Sequence, residues 1–329
     1  MKAAVVTAPG KTPVYSDFDL PVAKAGEELI SVRASALSNL TKSRATGAHY
    51  SASGVFPAVA GTDGVGRTQD GRRVYFAMPE PPFGAFAEFC PVSAMRCVEI
   101  PNGLDDITSA AIANPGMSAW AALVERAHLA SGETVLVNGA TGTAGRLAVQ
   151  LAKHLGAGKI IATGRNQHEL EEVKHLGADI VVPFTLSTQN PSGAKDGAKD
   201  YENALKRVFA AGINVVVDYL WGESAKTIIV AIAKAVDDAT PIRFVHVGAA
   251  SQEENIELPG AALRSSAIQL MGSGLKSVPM LVLLQSIRNV FDAVQPAGLK
   301  IATRVEPLSN VQQVWEKSSG KPRVVFTIG

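Results

Sequence analysis

Thr134-Val135-Leu136-Val137-Asn138-Gly139-Ala140-Thr141-Gly142-Thr143-Ala144-Gly145 decides the fold. Its first five residues form a short apolar run, as a parallel strand buried on both faces requires. A glycine-rich turn follows. Thr143 to Leu155 then carry Leu147, Leu151 and Leu155 on one face of a predicted helix. A strand turning tightly into a helix N-terminus offers a diphosphate backbone N–H groups and a favourable dipole, with no Cβ atoms in the way. Ala140, Gly142 and Gly145 take the G-x-G-x-x-G positions, with alanine for the first glycine. The pattern is weak alone and gains force from the strand before it and the helix after it. A purely structural strand–helix turn is the competing reading. The context favours a bound dinucleotide, its diphosphate against Ala140, Thr141, Gly142, Thr143, Ala144 and Gly145.

Outward from that turn, strand and helix patterns alternate. Lys159 to Thr163 reads as the next strand, and Gln167 to Leu176 as a helix closed by Gly177. Asp179–Val182, Asn214–Asp218 and Ile242–Val247 supply further strands, which predicts a doubly wound parallel sheet of Rossmann type. Open sheets of this kind bind ligands at the carboxyl ends of their strands. Further cofactor contacts are therefore expected at Leu220, at Gly248 and Ala249, and at Gly272 and Ser273. Each glycine there also reads as an ordinary turn. The second strand ends Ala162-Thr163-Gly164-Arg165-Asn166, with no carboxylate for the ribose hydroxyls of NAD. Gly164 and Arg165 would face the adenosine end, where Arg165 can pair with a 2′-phosphate. The predicted cofactor is NADPH; the alternative is a solvated loop arginine.

The flanks have a different texture. Ala3–Val6, Leu29–Ala34 and Arg73–Ala77 read as strands among Gly, Pro and Asp, and Met78 to Gly84 as a loop with Pro79, Pro81 and Pro82. Ala110 to Arg126 reads as helix. Ser187 to Asp200, with its near-repeat Ala-Lys-Asp-Gly-Ala-Lys-Asp, reads as an exposed loop. Arg304–Pro307 and Arg323–Ile328 read as strands, and the last can pair back into the first part of the chain.

Composition bounds the function. At 329 residues, 47% of them hydrophobic and 19% charged, the chain suits two globular domains. A formal net charge of +1 gives no long-range field toward nucleic acid or anionic lipid. No apolar run is long enough to span a bilayer, and Met1 to Val6 reads as a strand rather than a signal peptide. Two cysteines, Cys90 and Cys97, argue against a disulfide framework and for a cytoplasmic location.

These motifs accumulate. Ala113-Asn114-Pro115-Gly116-Met117-Ser118-Ala119-Trp120, Gly132 to Val137, the glycine turn and Leu176-Gly177-Ala178-Asp179 together resemble the medium-chain dehydrogenase/reductase superfamily, nearest its zinc-independent quinone oxidoreductase branch. Met1-Lys2-Ala3 and Val324-Val325-Phe326 are also similar to that family. The resemblance implies an α/β chain with a discontinuous, β-rich GroES-like catalytic domain over 1–115 and 290–329. A Rossmann NADP-binding domain over 116–289 would be inserted in it, with an active-site cleft between the two. It further implies a homodimer joined through the edge strand at Ile268–Gly272.

Alcohol dehydrogenases of the superfamily bind a catalytic zinc through an early cysteine and a Gly-His-Glu segment. Here the corresponding stretches read Ala36-Leu37-Ser38-Asn39 and Gly61-Thr62-Asp63, without cysteine or histidine. Two cysteines cannot build a four-cysteine structural zinc lobe. The expectation is a zinc-independent enzyme whose substrate is already electrophilic: a quinone or an α,β-unsaturated carbonyl. Asn39 matches an asparagine of the family motif, and Tyr50 a tyrosine at the same overall separation, although Gly47 is displaced by one residue. Asn39 would hydrogen-bond the substrate oxygen or the nicotinamide ribose, or be a turn residue. Tyr50 would donate its phenol proton, or line the pocket as a half-buried aromatic. His154, His168 and His175 are expected on solvated helix faces, and His246 in a strand.

Three readings follow. The leading one is an NADPH-dependent quinone or enone oxidoreductase. The second is a metal-free alcohol dehydrogenase or enoyl-thioester reductase of the same fold. The third is a non-catalytic NADPH-binding or RNA-binding protein, and the near-neutral charge argues against RNA.

Overall fold

In a computed structural model, which describes residues 1–186 and 194–329, the chain forms two compact units. The first holds Met1–Met117 and Met280–Gly329, the second Ser118–Pro279. The later seam thus lies at 279/280, where the sequence reading placed it at 289/290. The helix Met280–Ala293 belongs with the first unit, where its Phe291 meets Tyr75 edge-on at 6.0 Å.

The first unit is β-rich. In chain order it contains β1 (Lys2–Val6), β2 (Val14–Asp17), β3 (Glu27–Ala36), α1 (Asn39–Ala45), β4 (Ala58–Val59), β5 (Asp63–Arg67), β6 (Arg73–Ala77), β7 (Phe89–Ser93), β8 (Cys97–Glu99) and α2 (Asp106–Trp120). The helix starts earlier than the alanine-rich run suggests, because the Asp105 carboxylate accepts the Thr108 N–H at 2.8 Å. Its continuation, Ala121–Arg126, is a π-helix that lies with the second unit.

The second unit contains β9 (Thr134–Asn138), α3 (Thr143–His154), β10 (Lys159–Gly164), α4 (Gln167–Lys174), β11 (Ile180–Pro183), α5 (Ala194–Phe209), β12 (Val215–Asp218), α6 (Gly222–Ala235), β13 (Pro241–His246), α7 (Gly260–Arg264) and β14 (Ala267–Gly272). The chain then returns to the first unit with α8 (Met280–Ala293), β15 (Thr303–Pro307), α9 (Val311–Lys317) and β16 (Arg323–Thr327).

In the first unit β2-β1-β4 form one small sheet and β15-β16-β3-β5-β6-β8 a larger one, with β7 also on β3. β16 runs antiparallel to β3, so the C-terminal strand does close the N-terminal domain. The core between them includes Ile30, Val74, Phe76, Phe86, Val324 and Phe326. The buried Asp63 carboxylate takes a hydrogen bond from Thr62 at 2.6 Å. Burial raises its proton affinity, opposed by that hydrogen bond and by the charge of buried Arg323.

The second unit is a six-stranded parallel sheet ordered β11-β10-β9-β12-β13-β14. Numbered within the unit this is 3-2-1-4-5-6, the Rossmann order, with its switch point between β9 and β12. One correction concerns Ser187 to Asp200. Residues 187–193 lie outside the described residues, but Ala194–Asp200 opens α5 instead of continuing a loop. Tyr201, Leu205 and Phe209 recur every four residues and are buried, so tertiary packing holds the whole helix. The low-complexity look of the run hid its helical period.

At the carboxyl edge of this sheet a polar row crosses four strands. Thr163 Oγ1 donates to Asn138 Oδ1 at 2.7 Å, and Asn138 Nδ2 donates to Asp218 Oδ1 at 2.8 Å. Asp218 Oδ2 lies 3.1 Å from His246 Nδ1. Register makes this possible, because Thr163, Asn138, Asp218 and His246 are successive cross-strand neighbours. Asp218 also accepts the backbone N–H groups of Leu220 and Trp221, each at 3.1 Å. Replacing Asp218 by Ala leaves several buried donors unmatched. We expect a loss of about 3 kcal/mol in urea unfolding; a change within ~0.5 kcal/mol would mean the row is structurally dispensable.

Candidate functional site

The glycine turn joins β9 to α3 at that switch point. Gly139 has φ +84°, and a Cβ there would lie 2.9 Å from Leu220 Cγ. The N–H groups of Gly139 and Ala140 donate to the Thr163 carbonyl at 3.1 and 3.0 Å, fastening the turn to β10. A Cβ on Gly145 would lie 2.3 Å from the Gly139 carbonyl oxygen and 2.7 Å from Ala140 Cα, so only glycine lets α3 start this close to β9. Gly142 is different: a Cβ there would meet only the Gly139 oxygen at 3.4 Å. Protein packing does not require glycine at 142, whereas a ligand seated against the turn would.

Gly142 caps α3, and Thr143, Ala144 and Gly145 supply the first-turn N–H groups that no carbonyl of the helix can accept. The chemistry of this cradle fits a dinucleotide diphosphate. Thr141 lies against Gly164, since a Cβ on Gly164 would come within 3.0 Å of Thr141 Cγ2. Leu220 lies against Gly139. The structure therefore brings Ala140–Gly145, Gly164 and Leu220 together around the end of β9. Arg165 follows Gly164 at the end of β10 and is exposed, without an ion-pair partner among the described residues.

Gly248 and Ala249 follow β13, and Gly272 and Ser273 close β14. A Cβ on Gly248 would make only ordinary contact, and one on Gly272 would meet nothing within 4 Å. Neither glycine is demanded by protein packing. Ser273 is buried, with its N–H donating to the His246 carbonyl at 2.8 Å.

Sequence reasoning missed the row beneath this turn. Its signal was a polar residue ending each of β9, β12 and β13, and one next to the end of β10. It missed Trp221 too, which has φ +64° and stacks on His246 with ring centroids 4.4 Å apart. Such a backbone costs about 1–3 kcal/mol and persists only where its surroundings impose it; here the Asp218 carboxylate holds the Trp221 N–H.

In the first unit, Ser38 caps α1 through its Oγ, which accepts the Thr41 N–H at 3.0 Å. Asn39 is the first residue of α1 and is exposed. Tyr50 is 58% exposed and leans on the His49 ring at 4.1 Å. It is therefore more open than the half-buried aromatic of the sequence reading. A chain of hydroxyls runs beneath Asn39: Ser38 and Thr41 are 2.9 Å apart, Thr41 and Thr62 3.1 Å, and Thr62 donates to Asp63.

Among the described residues, no group of three or more His, Cys, Asp or Glu could hold a metal ion. The residues present do not fit the zinc site of the alcohol dehydrogenases. Cys90 and Cys97 are free thiols, and burial pushes the Cys97 thiol up to about 11. None of the described helices is long and apolar enough to cross a membrane.

Comparison with known proteins agrees with this architecture. Residues 144–282 match the family described as zinc-binding dehydrogenase. A probable NADPH-dependent quinone reductase of Emericella nidulans is 26% identical, over 99% of both chains. A 2-methylene-furan-3-one reductase of Solanum lycopersicum is 31% identical, over 66% of this chain and 62% of its own. Among solved structures, a mycobacterial protein in complex with NADPH superposes with a TM-score of 0.81 at 20% identity, covering 99% of this chain and 100% of its own. The Thermus thermophilus quinone oxidoreductase superposes with a TM-score of 0.77 at 22% identity, covering 99% and 100%. The parallel sheet in Rossmann order, the β-rich unit closed by its C-terminal strand and these likenesses lead to one conclusion: the chain has the fold of the medium-chain dehydrogenases/reductases and is similar in sequence to their quinone oxidoreductase-like members.

Proposed function

We propose that this protein is an NADPH-dependent oxidoreductase acting on quinones or α,β-unsaturated carbonyls without zinc. The observation that carries the reading is the turn at Gly139–Gly145, with Gly145 packed against backbone and space left beside Gly142 at the start of α3. Ala140 to Gly145 would hold the diphosphate. Gly164 and Leu220 would flank it, and Gly248, Ala249, Gly272 and Ser273 lie at neighbouring strand ends where the nicotinamide half can approach backbone. The bound dinucleotide supplies the hydride. The names of the Emericella nidulans and Solanum lycopersicum relatives support a quinone or enone as acceptor.

Zinc-free reaction rests on the donor set. Where a zinc enzyme needs thiolate and imidazole, this chain has Asn39 and Thr62. A neutral amide can hydrogen-bond a developing oxyanion or hold the nicotinamide ribose, and Asn39 at the exposed start of α1 is free to turn toward either. Tyr50, exposed on the loop after α1, would donate a second hydrogen bond or cover the substrate.

A steady-state panel of quinones and enones should consume NADPH absorbance, with Asn39→Ala lowering kcat on the order of 10²-fold. Absence of turnover with every acceptor would reject the reading. Turnover only with acyl thioesters, or NADP reduction by alcohols, would replace it with another activity of the same fold.

Arg165 is proposed to select NADPH by pairing with the 2′-phosphate, for which its exposure, with no ion-pair partner among the described residues, leaves it available. Arg165→Ala should cut the NADPH-over-NADH preference about tenfold or more. An unchanged preference would assign the phosphate elsewhere.

A homodimer through β14 is also proposed. This strand is an unpaired edge of the six-stranded sheet, and Leu270 on it is 42% exposed. Light scattering should give twice the chain mass for the wild type and a shift toward monomer for Leu270→Lys. A wild-type monomer at tens of micromolar would end the proposal.

A further inference from the structure

The first unit contains a pocket between α1, the approach to β4, and the loop after β6. It holds about 550 Å³ of empty space, part of it open to solvent. Its walls are mostly apolar, with Val6, Phe56, Val59, Met78 and Phe83 among them. Among the described residues lining it, Arg44 is the only charged one. Nothing in the assignment of the dinucleotide turn, Asn39 or Tyr50 uses this residue.

Arg44 is half-buried, yet among the described residues no carboxylate forms an ion pair with it. Its side-chain contact is Nη1 to Met78 Sδ at 3.5 Å, and a thioether is a weak acceptor. The nearby carboxylate, Glu80, pairs with Arg96 at 3.1 Å. Two guanidinium groups thus share one carboxylate, which leaves one net positive charge beside an apolar cavity. Burial lowers the proton affinity of Arg44, opposed by Glu80 and reinforced by Arg96, but a guanidinium stays charged throughout. His49 registers the same field: burial, and then the charge of Arg44, holds its proton affinity below the ordinary histidine value.

The pocket's threonines do not offer the missing counterpart. Thr62 spends its hydroxyl proton on Asp63, so it accepts from Thr41, and the Thr41 proton is spent in turn. With Asp63 ionised, both oxygens present lone pairs to the cavity. The five-donor fork of Arg44 is then the charged donor set available to a ligand.

We propose that this pocket binds the substrate by an anionic end. A carboxylate would sit on Arg44, with the apolar body of the molecule over Met78 and Phe83. The acceptor class narrows to quinones or enones that carry a carboxylate. An anion there would remove the uncompensated half-buried charge, and the planar guanidinium suits bidentate recognition. The substrate role rests on the reductase reading above; the anion site itself does not.

The test separates the two. Calorimetry on the full-length protein would use levulinate and its methyl ester, which carry the acid and the ketone but no reactive double bond. Levulinate should bind about tenfold tighter than the ester or more. Arg44→Gln should bring the acid down to the ester, and Arg44→Lys should keep part of the difference. Equal wild-type binding of acid and ester, or an acid preference that survives Arg44→Gln in a protein with the wild-type melting curve, would overturn the anion site. Should Arg44→Gln fail to fold, the wild-type comparison and Arg44→Lys decide. NADPH oxidation would be followed in parallel with β-acetylacrylate and its methyl ester. An acid preference in binding with turnover of neither compound would reject the reductase reading and leave the anion site standing. Turnover of both without any acid preference would do the reverse.

Discussion

The second unit depends on its carboxyl-edge row more than on any other polar interaction. A parallel sheet buries both faces, so its polar groups have only the strand ends at which to meet. Here Thr163, Asn138, Asp218 and His246 meet in register, and each uses what its neighbour lacks. Asn138 accepts from Thr163 with its carbonyl and gives its amide protons to Asp218 and Ser224. Asp218 is buried and is satisfied by Asn138, Leu220, Trp221 and His246. Unpaired, that carboxylate would be strongly disfavoured where it lies.

The row also sets the geometry of the turn above it. Asn138 is the last residue of β9, and the next residue must reverse toward α3. Gly139 does so at positive φ, and Gly145 lets the helix return to within contact of the strand end. Leu220, held by the hydrogen bond of its N–H to Asp218, closes the other side against Gly139. The N-terminal end of α3 is therefore positioned from below by a buried carboxylate linked through Asn138 to Thr163. Sheet register, turn conformation and helix placement are one linked constraint.

Much of this was legible in the sequence because it follows from periodicity and backbone chemistry. The run Thr134–Asn138 became β9 at the same residues, and the return of the C-terminal strand became the β16–β3 pairing. What was hidden was of another kind. Ala194–Asp200 is poor in apolar residues, and its helix is stabilised from Tyr201 onward, by packing that no local pattern reveals. The polar row needed strand register, which pairs residues 80 positions apart, as Asn138 and Asp218 show. Trp221 gave no warning of its positive φ, because nothing in its side chain favours one. Arg44 belongs to no motif in the sequence. Its significance comes from which acid pairs with Arg96 and which residues wall the cavity, and neither is local.

The stretch Gly61-Thr62-Asp63 shows how the first unit manages without thiolate and imidazole at the corresponding positions. Its carboxylate is turned inward, accepts a hydrogen bond from Thr62 and faces the charge of Arg323. Its negative charge is thus spent inside the protein. The consequence passes along the hydroxyl chain: Thr62 must accept from Thr41, and neither threonine has a proton for a ligand. A cavity whose threonine hydroxyls are committed and whose walls are mostly apolar polarises a carbonyl best through cationic or amide donors. In this unit those donors are Arg44 in the pocket wall and Asn39 at the start of the same helix, five residues earlier in the chain. Both are carried by α1, whose N-terminus Ser38 fixes with the hydroxyl that also begins the chain to Asp63. The buried carboxylate of β5 and the N-terminus of α1 are therefore joined by hydrogen bonds through three hydroxyl oxygens.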